Sequence, residues 1–194
     1  MNKTKKLIFD SAIEVFSKSG YRGATMDEIA TNAGLAKGTL YYNFNSKEEI
    51  FNFIVDNGLK ILNDEIIAID ESNDDIIEKL KKICKIQLTF LYEHNSFFRV
   101  VMSQLWGDEE RQVILREKVR SHIKQIELYI QIGIKEGYIR NGDSEVIAYE
   151  FFGTLCSAAI YELINIDKVS LEDIINKTLG FIFNGLISHI QINN

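Results

Sequence analysis

Residues 25–47, TMDEIATNAGLAKGTLYYNFNSK, decide the fold of this chain. They predict two short helices joined by a tight turn, followed by the first turn of a long third helix. Thr25 and Glu28 have the spacing of a capping box, which predicts that a helix begins here. Gly34 supplies the positive φ that a sharp turn between helices requires. The second short helix is expected from about Lys37 to Asn43.

The second short helix leaves a basic, hydroxyl-rich and aromatic face without an obvious packing partner. Leu40 and Phe44 are four residues apart, which places both on its buried side. A short helix with such a free face fits the major groove of DNA. The alternative interpretation is a helical hairpin whose free face is only solvated. The free face carries Lys37, Thr39, Tyr41, Tyr42 and Asn43.

The same region closely resembles the DNA-binding domain of the TetR family of bacterial repressors. The resemblance is dense over roughly residues 4–52 and weak over the remainder of the chain. It implies an all-α protein with a three-helix helix-turn-helix DNA-binding domain at 1–47 and a helical regulatory and dimerisation domain at 48–194. The matching segments are GYRGATMDEIA at 20–30, AGLAKGTLYYNF at 33–44 and SKEEIF at 46–51.

The resemblance and the side-chain chemistry together assign phosphate contacts. Thr25 stands at a helix N-terminus, where the helix dipole favours a phosphate. Tyr42 and Lys47 are expected to hold phosphates as well. One residue departs from the family pattern, because Ala36 stands where a serine would cap the second short helix and alanine cannot cap.

The base contacts are assigned to the free face of the same helix. Gly38 lets the backbone approach the DNA, Lys37 can reach a guanine edge, and Thr39 and Tyr41 can touch bases or thymine methyl groups. Asn43 is expected either to read adenine or to hold a phosphate. A two-fold pair of such helices would read a palindromic operator in successive major grooves.

The charge distribution separates this region from the rest of the chain. The net charge is −6. Residues 1–47 nevertheless contain seven Lys or Arg against four acids, a balance of +3, so the remaining residues carry −9. A DNA-facing head on an acidic body shows this asymmetry, and only the head is expected to dock on DNA.

The composition is that of a globular protein with long helices. Hydrophobic residues make up 46% and charged residues 26% of the chain, and proline is absent. No early apolar run indicates a secretory signal, and no apolar stretch reaches the roughly 18 residues that would indicate a membrane span. Two cysteines in apolar patterns favour a reduced, cytoplasmic compartment.

Helical periodicity along the whole chain predicts about nine helices and no strand. The first is expected from about Lys3 to Ser19, ended by Gly20. Gly58, in the middle of the fourth, either permits close packing or bending or has no structural role. Asn73 is the expected cap of the fifth. After the first three, the helices are expected at about 47–70, 73–93, 96–106, 108–136, 144–166 and 170–190.

The resemblance implies that the body binds a small molecule. From the residues alone, the segment 90–106 has more aromatic residues and methionine than packing requires, which predicts an apolar pocket between helices. An apolar or aromatic molecule or a fatty-acyl group would fit, and ordinary core packing is the alternative for each residue. The candidate lining residues are Phe90, His94, Phe98, Met102, Trp106, Tyr129 and Phe152.

The last two helices are apolar on more than one side, so each needs more than one packing partner. One side is expected to face the core, and the other a second subunit, in a four-helix interface. The family resemblance also implies a homodimer. The candidate dimer residues are Phe151, Leu155, Ala159, Leu179, Phe183 and Leu186.

Enzymatic chemistry is not indicated. The three histidines and two cysteines are scattered without metal-ligand spacing, and no glycine-rich phosphate loop follows a strand. We therefore expect no catalytic residues, no metal and no cofactor. The sequence predicts a DNA-binding transcriptional regulator, either a homodimeric repressor released by a small effector or an activator or protein-interaction module without a ligand.

Overall fold

The computed structural model describes residues 1–70, 72–165 and 170–186, with Asp70 and Leu186 described by their backbone alone. These residues form nine α-helices and no β-strand, as the sequence predicts. The helices are α1 (Lys3–Gly23), α2 (Met26–Asn32), α3 (Lys37–Asn43), α4 (Lys47–Asp70), α5 (Ile76–Glu93), α6 (Asn95–Gln104), α7 (Glu110–Lys135), α8 (Ser144–Ile164) and α9 (Leu171–Leu186).

The predicted signals around α2 and α3 are confirmed. The Thr25 hydroxyl accepts a hydrogen bond from the Glu28 amide, and the Glu28 carboxylate accepts one from the Thr25 amide, which completes the capping box. Gly34 has φ 65° and makes the turn between the two helices. Ala36 precedes α3 without a side-chain cap.

Two predicted helix ends are corrected. Helix α1 extends to Gly23, with a break in helical geometry at Gly20 (φ 67°), because the chain resumes a helical turn after the glycine. Asp75 rather than Asn73 caps α5, and its carboxylate accepts the Ile77 and Glu78 amides at 2.9 Å. At the start of α4, the Ser46 hydroxyl accepts the Glu49 amide at 3.1 Å, and the Glu49 carboxylate accepts the Asn45 amide at 2.7 Å.

The chain packs into two compact units that are discontinuous in sequence. The first comprises residues 1–61 and 94–119, and the second comprises 62–93 and the described residues from 120 onward. The first unit therefore contains α6 in addition to the helix-turn-helix. The functional boundary after residue 47 remains a prediction, since this division reflects packing rather than DNA binding.

The first unit has a continuous apolar core beneath the helix-turn-helix. Helix α1 packs against α2 and α6, and α2 packs against α3. The Ser11 hydroxyl ties α1 to α2 by donating to the Ile29 carbonyl oxygen at 2.8 Å. The fully buried side chains of this core include Ile8, Ala12, Ile29, Leu40, Ile50, Phe51 and Ile54.

Gly58 is required for close packing between α4 and α6. A Cβ atom at this position would lie 2.3 Å from the Phe97 ring, well inside contact distance. We expect Gly58→Ala to lower the free energy of unfolding by about 1–3 kcal/mol, as overpacking does, despite the better helix propensity of alanine. Urea unfolding of the variant and the parent protein measures this.

A matched control is Gly180→Ala in α9, where no atom lies within 4 Å of the added Cβ. Alanine there is expected to raise helix stability by up to about 1 kcal/mol. Equal effects of the two substitutions on the free energy of unfolding would contradict the packing role of Gly58.

The second unit is built on α5, α8 and α9, which pack against one another. Its buried apolar residues include Ile66, Leu80, Ile83, Ile126, Ile130, Ala148 and Leu155.

Helix α8 keeps much of its apolar surface uncovered. Of the described helices, it alone is long and apolar enough by length and composition to cross a membrane. Only 22% of its most apolar 18-residue segment is buried. The sequence predicted no apolar stretch of about 18 residues, whereas α8 meets that length and composition with Glu150 and Glu162 included. Ile160, Tyr161 and Ile164 are exposed, so the uncovered surface needs an explanation.

Candidate nucleic-acid interface and regulatory sites

Helix α3 presents its predicted DNA face to solvent. Tyr42 is 91% exposed, the largest exposure of any large apolar or aromatic side chain described, and Tyr41 is half exposed. A Cβ added at Gly38 would have no atom within 4 Å, so the backbone of this residue is open to close approach by a binding partner. Leu40 on the opposite side is fully buried and anchors the helix.

The two predicted DNA-contacting lysines already have partners. Lys37 Nζ lies 2.5 Å from the Asp27 carboxylate, in a solvent-exposed ion pair. Such a pair contributes about 1 kcal/mol or less, so DNA can displace it at little cost. Lys47 Nζ donates to the Ala24 carbonyl oxygen at 2.7 Å and the Arg22 carbonyl oxygen at 3.3 Å. One of its three N–H donors is left for a phosphate.

Two other predicted DNA-contacting residues bond locally. The Thr25 hydroxyl also donates to the Glu28 carboxylate at 3.0 Å, so a phosphate contact by this hydroxyl requires that bond to open. The Asn43 amide donates to the Thr39 carbonyl oxygen at 2.8 Å, inside α3. The sequence did not predict that these two side chains donate hydrogen bonds within the protein. Their contacts with DNA remain predictions.

Sequence reasoning missed a buried arginine, Arg111, which shares an aromatic ring with Lys47. The Arg111 guanidinium lies 3.8 Å from the centre of the Tyr21 ring, and Lys47 Nζ lies 4.8 Å from the same ring. The Glu109 carboxylate accepts from Arg111 at 2.8 Å and from Arg22 at 2.6 Å. This cluster connects the end of α1 with the starts of α4 and α7 inside the first unit.

The predicted ligand residues do not lie together in one unit. His94, Phe98, Met102 and Trp106 belong to the first unit, whereas Phe90, Tyr129 and Phe152 belong to the second. Trp106 is 78% exposed, which does not fit a residue enclosed in an apolar pocket. The ligand-binding role of the others remains a prediction.

A buried polar cluster lies in the second unit, at residues that the sequence analysis did not select. It joins Asn63 of α4, Gln87 of α5 and His122 of α7, with Gln87 1% and His122 2% exposed. His122 Nδ1 lies 2.7 Å from Asn63 Oδ1, and His122 Nε2 lies 3.1 Å from Gln87 Nε2. Its sequence signal is the presence of two polar residues, Gln87 and His122, within otherwise apolar helical stripes.

The hydrogen-bonding chemistry of this cluster leaves one acceptor unpaired. Asn63 Oδ1 only accepts, so His122 Nδ1 carries the proton and Nε2 accepts from the Gln87 amide. Gln87 Oε1 is then buried without a hydrogen-bond partner. An unsatisfied buried acceptor costs about 1–3 kcal/mol. Burial also lowers the pKa of His122 to about 4, so the ring is neutral at physiological pH.

The lowered pKa of His122 predicts acid sensitivity. An exposed histidine titrates near pH 6.5, so as the pH falls the unfolded chain takes up this proton before the folded protein does. The stability that His122 contributes is complete above about pH 6.5 and is lost as the pH falls to about 4, a loss of about 3 kcal/mol. Urea unfolding between pH 7 and pH 4 measures it.

The variant His122→Gln removes the titrating group and is expected to flatten this part of the pH dependence. The slope of the free energy of unfolding against pH is compared between the two proteins. This slope separates His122 from the carboxylates that also titrate in acid, because both proteins contain the same carboxylates. Parallel pH profiles for the two proteins would contradict the assignment.

An open groove of about 730 Å³ runs between the outer faces of α8 and α9. Phe181, 74% exposed, and Tyr161, about half exposed, contribute aromatic surface to it. Glu150 and Lys177 bring opposite charges, and Gly153 keeps part of the floor open.

The candidate dimer residues divide between this face and the core. Phe151, Leu155 and Phe183 are buried in the second unit itself, so they support α8 and α9 from within and offer no surface to a partner. Ala159 and Leu179 are half-buried, and the side chain of Leu186 lies outside the described residues. The exposed surface is instead that of the groove.

The structure also shows how the possible metal ligands and the two cysteines are placed. No group of three or more His, Cys, Asp or Glu side chains in this part of the chain is placed to hold a metal ion. Cys84 and Cys156 are buried free thiols, and burial raises the pKa of each to about 12, which keeps them protonated and unreactive.

Comparison with known proteins identifies the family to which the helix-turn-helix region is similar. The sequence profile of "Bacterial regulatory proteins, tetR family" matches residues 8–54. The uncharacterised HTH-type transcriptional regulator YhgD of Bacillus subtilis is 30% identical over 146 residues, which span 75% of this chain and 76% of that protein.

Solved structures share the whole fold. A Clostridium perfringens protein assigned provisionally to the regulation of fatty acid metabolism is 45% identical, with a TM-score of 0.88 over 94% of this chain and 99% of that one. The regulator FadR of Bacillus subtilis, solved with stearoyl-CoA, has a TM-score of 0.80 at 24% identity, covering 93% of this chain and 98% of its own.

A three-helix DNA-binding head with an exposed recognition helix, followed by a helical body, defines a helix-turn-helix transcriptional regulator. The chain belongs to the TetR family of bacterial regulatory proteins. Its relatives are transcriptional regulators rather than enzymes.

Proposed function

We propose that this chain is a cytoplasmic, homodimeric repressor that binds a palindromic operator and leaves it when a fatty-acyl effector binds the body. Activation from an upstream site, or an interaction module without an effector, is the competing outcome of the experiments below.

The observation that carries the proposal is the exposed face of α3. Tyr41, Tyr42 and the open backbone at Gly38 share this helix, and a buried Leu40 holds it against the core. Two such helices related by a two-fold axis fit successive major grooves, about 34–36 Å apart. Lys37 and the remaining donor of Lys47 supply positive charge to the same interface.

In this proposal, the second subunit of the dimer packs on the groove between α8 and α9. The aromatic surface of the groove is left uncovered by the chain, as expected of a surface that a partner buries. The acidic Glu150 and basic Lys177 in this groove are complementary charges, which a two-fold axis can bring together from opposite subunits. Membership of the family supports the same arrangement.

The fatty-acyl class of effector is supported by similarity. The Clostridium perfringens regulator of 45% identity is assigned to fatty acid metabolism, and the Bacillus subtilis FadR structure contains stearoyl-CoA. An effector weakens operator binding only if it prefers the DNA-free arrangement of the protein.

Selection of bound duplexes from random DNA at about 150 mM salt, where non-specific binding is weak, tests the DNA-binding part. We expect an enriched inverted repeat. An operator that overlaps a promoter supports repression, and one upstream of it indicates activation. No enrichment with folded, dimeric protein would contradict sequence-specific regulation.

Titration of the operator complex with decanoyl-CoA tests the effector part. We expect saturating decanoyl-CoA to weaken operator binding at least about tenfold, with an unchanged circular dichroism spectrum. Equal affinity of decanoyl-CoA for the free and the DNA-bound protein would contradict release by an acyl effector.

A further inference from the structure

The buried cluster of Asn63, Gln87 and His122 has one acceptor to offer and no net charge. Its hydrogen bonds leave Gln87 Oε1 unpaired, and the His122 ring is neutral because burial lowers its pKa to about 4. A molecule that enters this cluster can therefore satisfy the unpaired acceptor only by donating a hydrogen bond to Gln87 Oε1.

The surroundings of Gln87 are apolar. One turn before it on α5 are Ile83 and Cys84, and one turn after it is Leu91, all buried. A carboxylate placed here would set its oxygens against Gln87 Oε1 and lose its hydration without a cation to pair with. A neutral group with an N–H or O–H would satisfy the acceptor.

Phe152 of α8 packs against the histidine of this cluster. Its ring lies 6.0 Å from the His122 ring, edge to face, and it is only half-buried. If this ring rotates away from His122, space beside the cluster opens without the unfolding of a helix. An alkyl chain can then occupy the apolar volume that the ring leaves.

We propose that Gln87, held by His122 and Asn63, recognises the polar end of the effector. This end is a neutral donor joined to an alkyl chain, such as the amide N–H of an acyl-pantetheine thioester, rather than the ionised carboxylate of a free fatty acid. The inference rests on the proposed acyl effector and specifies which chemical form of it binds. Asn63 belongs to α4, the helix that begins at Lys47, so a change in the cluster acts on that helix directly.

The test uses a matched pair of ligands. S-decanoyl-N-acetylcysteamine carries the thioester and the amide N–H, and its N-methylated analogue lacks only the donor. Calorimetric titration of the full-length protein is expected to show at least about tenfold weaker binding of the methylated analogue and of decanoate. Equal binding of the two thioesters, or no binding of the donor-bearing one, overturns the proposal.

The variant Gln87→Met removes the acceptor and preserves the unbranched shape of the side chain. It is expected to bind both thioesters with equal affinity, because the donor no longer has a partner. Gln125→Met, a half-buried glutamine on α7 outside the cluster, is the control and is expected to keep the tenfold preference. A preference that persists in Gln87→Met overturns the proposal, and the ligand pair on the parent protein remains decisive if this variant does not fold.

Duplex selection on the same preparation without ligand distinguishes failure of the regulator from failure of the ligand site. Loss of sequence-selective binding would contradict the regulator itself. Intact selection without a donor preference would contradict only the role of Gln87.

Discussion

Replacement of Tyr42 by alanine is expected to lower operator affinity by about 100-fold or more and to leave the stability of the protein unchanged. Tyr42 is 91% exposed, so its removal costs the folded chain almost no packing. A hydrogen bond from its hydroxyl to a phosphate involves a charged acceptor and contributes about 1.5–3 kcal/mol. A dimer loses two such bonds, and each 1.4 kcal/mol is a factor of ten in affinity.

Electrophoretic mobility shift or fluorescence anisotropy with the selected operator measures this change, and thermal unfolding measures stability. Tyr42→Phe separates the two possible roles of the side chain. Loss of affinity in Tyr42→Phe indicates the phosphate hydrogen bond, whereas retained affinity indicates an apolar contact of the ring.

Tyr138→Ala is the matched control, because Tyr138 is also substantially exposed but follows α7, far along the chain from the helix-turn-helix. Its operator affinity is expected to stay within about twofold of the parent protein, as for most exposed substitutions. Parent-like affinity in Tyr42→Ala would rule out the proposed docking of α3.

Replacement of Phe181 by aspartate is expected to dissociate the dimer, with a dissociation constant at least about 100-fold higher. Burial of a phenylalanine side chain contributes about 1.5–3 kcal/mol, and a two-fold interface contains two copies. The aspartates would in addition lose their hydration when the interface buries them, which costs further free energy. Because Phe181 is 74% exposed in the single chain, folding of the monomer is expected to be unaffected.

Analytical ultracentrifugation measures the oligomeric state, and circular dichroism confirms the helical content. Operator affinity is expected to fall together with dimerisation, since a monomer holds only one half-site. Leu128→Asp on α7 is the control, because Leu128 is 58% exposed and lies outside the groove. A dimeric Phe181→Asp protein, or a monomeric Leu128→Asp protein, would contradict the assignment of the groove.

The sequence by itself determined the local structure of the DNA-binding head. The Thr25–Glu28 capping box, the positive φ of Gly34 and the uncapped start of α3 at Ala36 all follow from interactions within a few residues, which a single chain segment specifies. Apolar periodicity likewise determined the number of helices among the described residues, because the period of 3.6 residues is a property of each helix alone.

Only the tertiary structure decided which surfaces are available and which polar groups are paired. Phe151, Leu155 and Phe183 satisfy the same periodicity as any interface residue, yet they are buried by their own unit. Gln87 and His122 are 35 residues apart in sequence and become neighbours only when α5 and α7 pack. Burial and hydrogen-bond partnership depend on which helices meet, and that information is distributed over the whole chain.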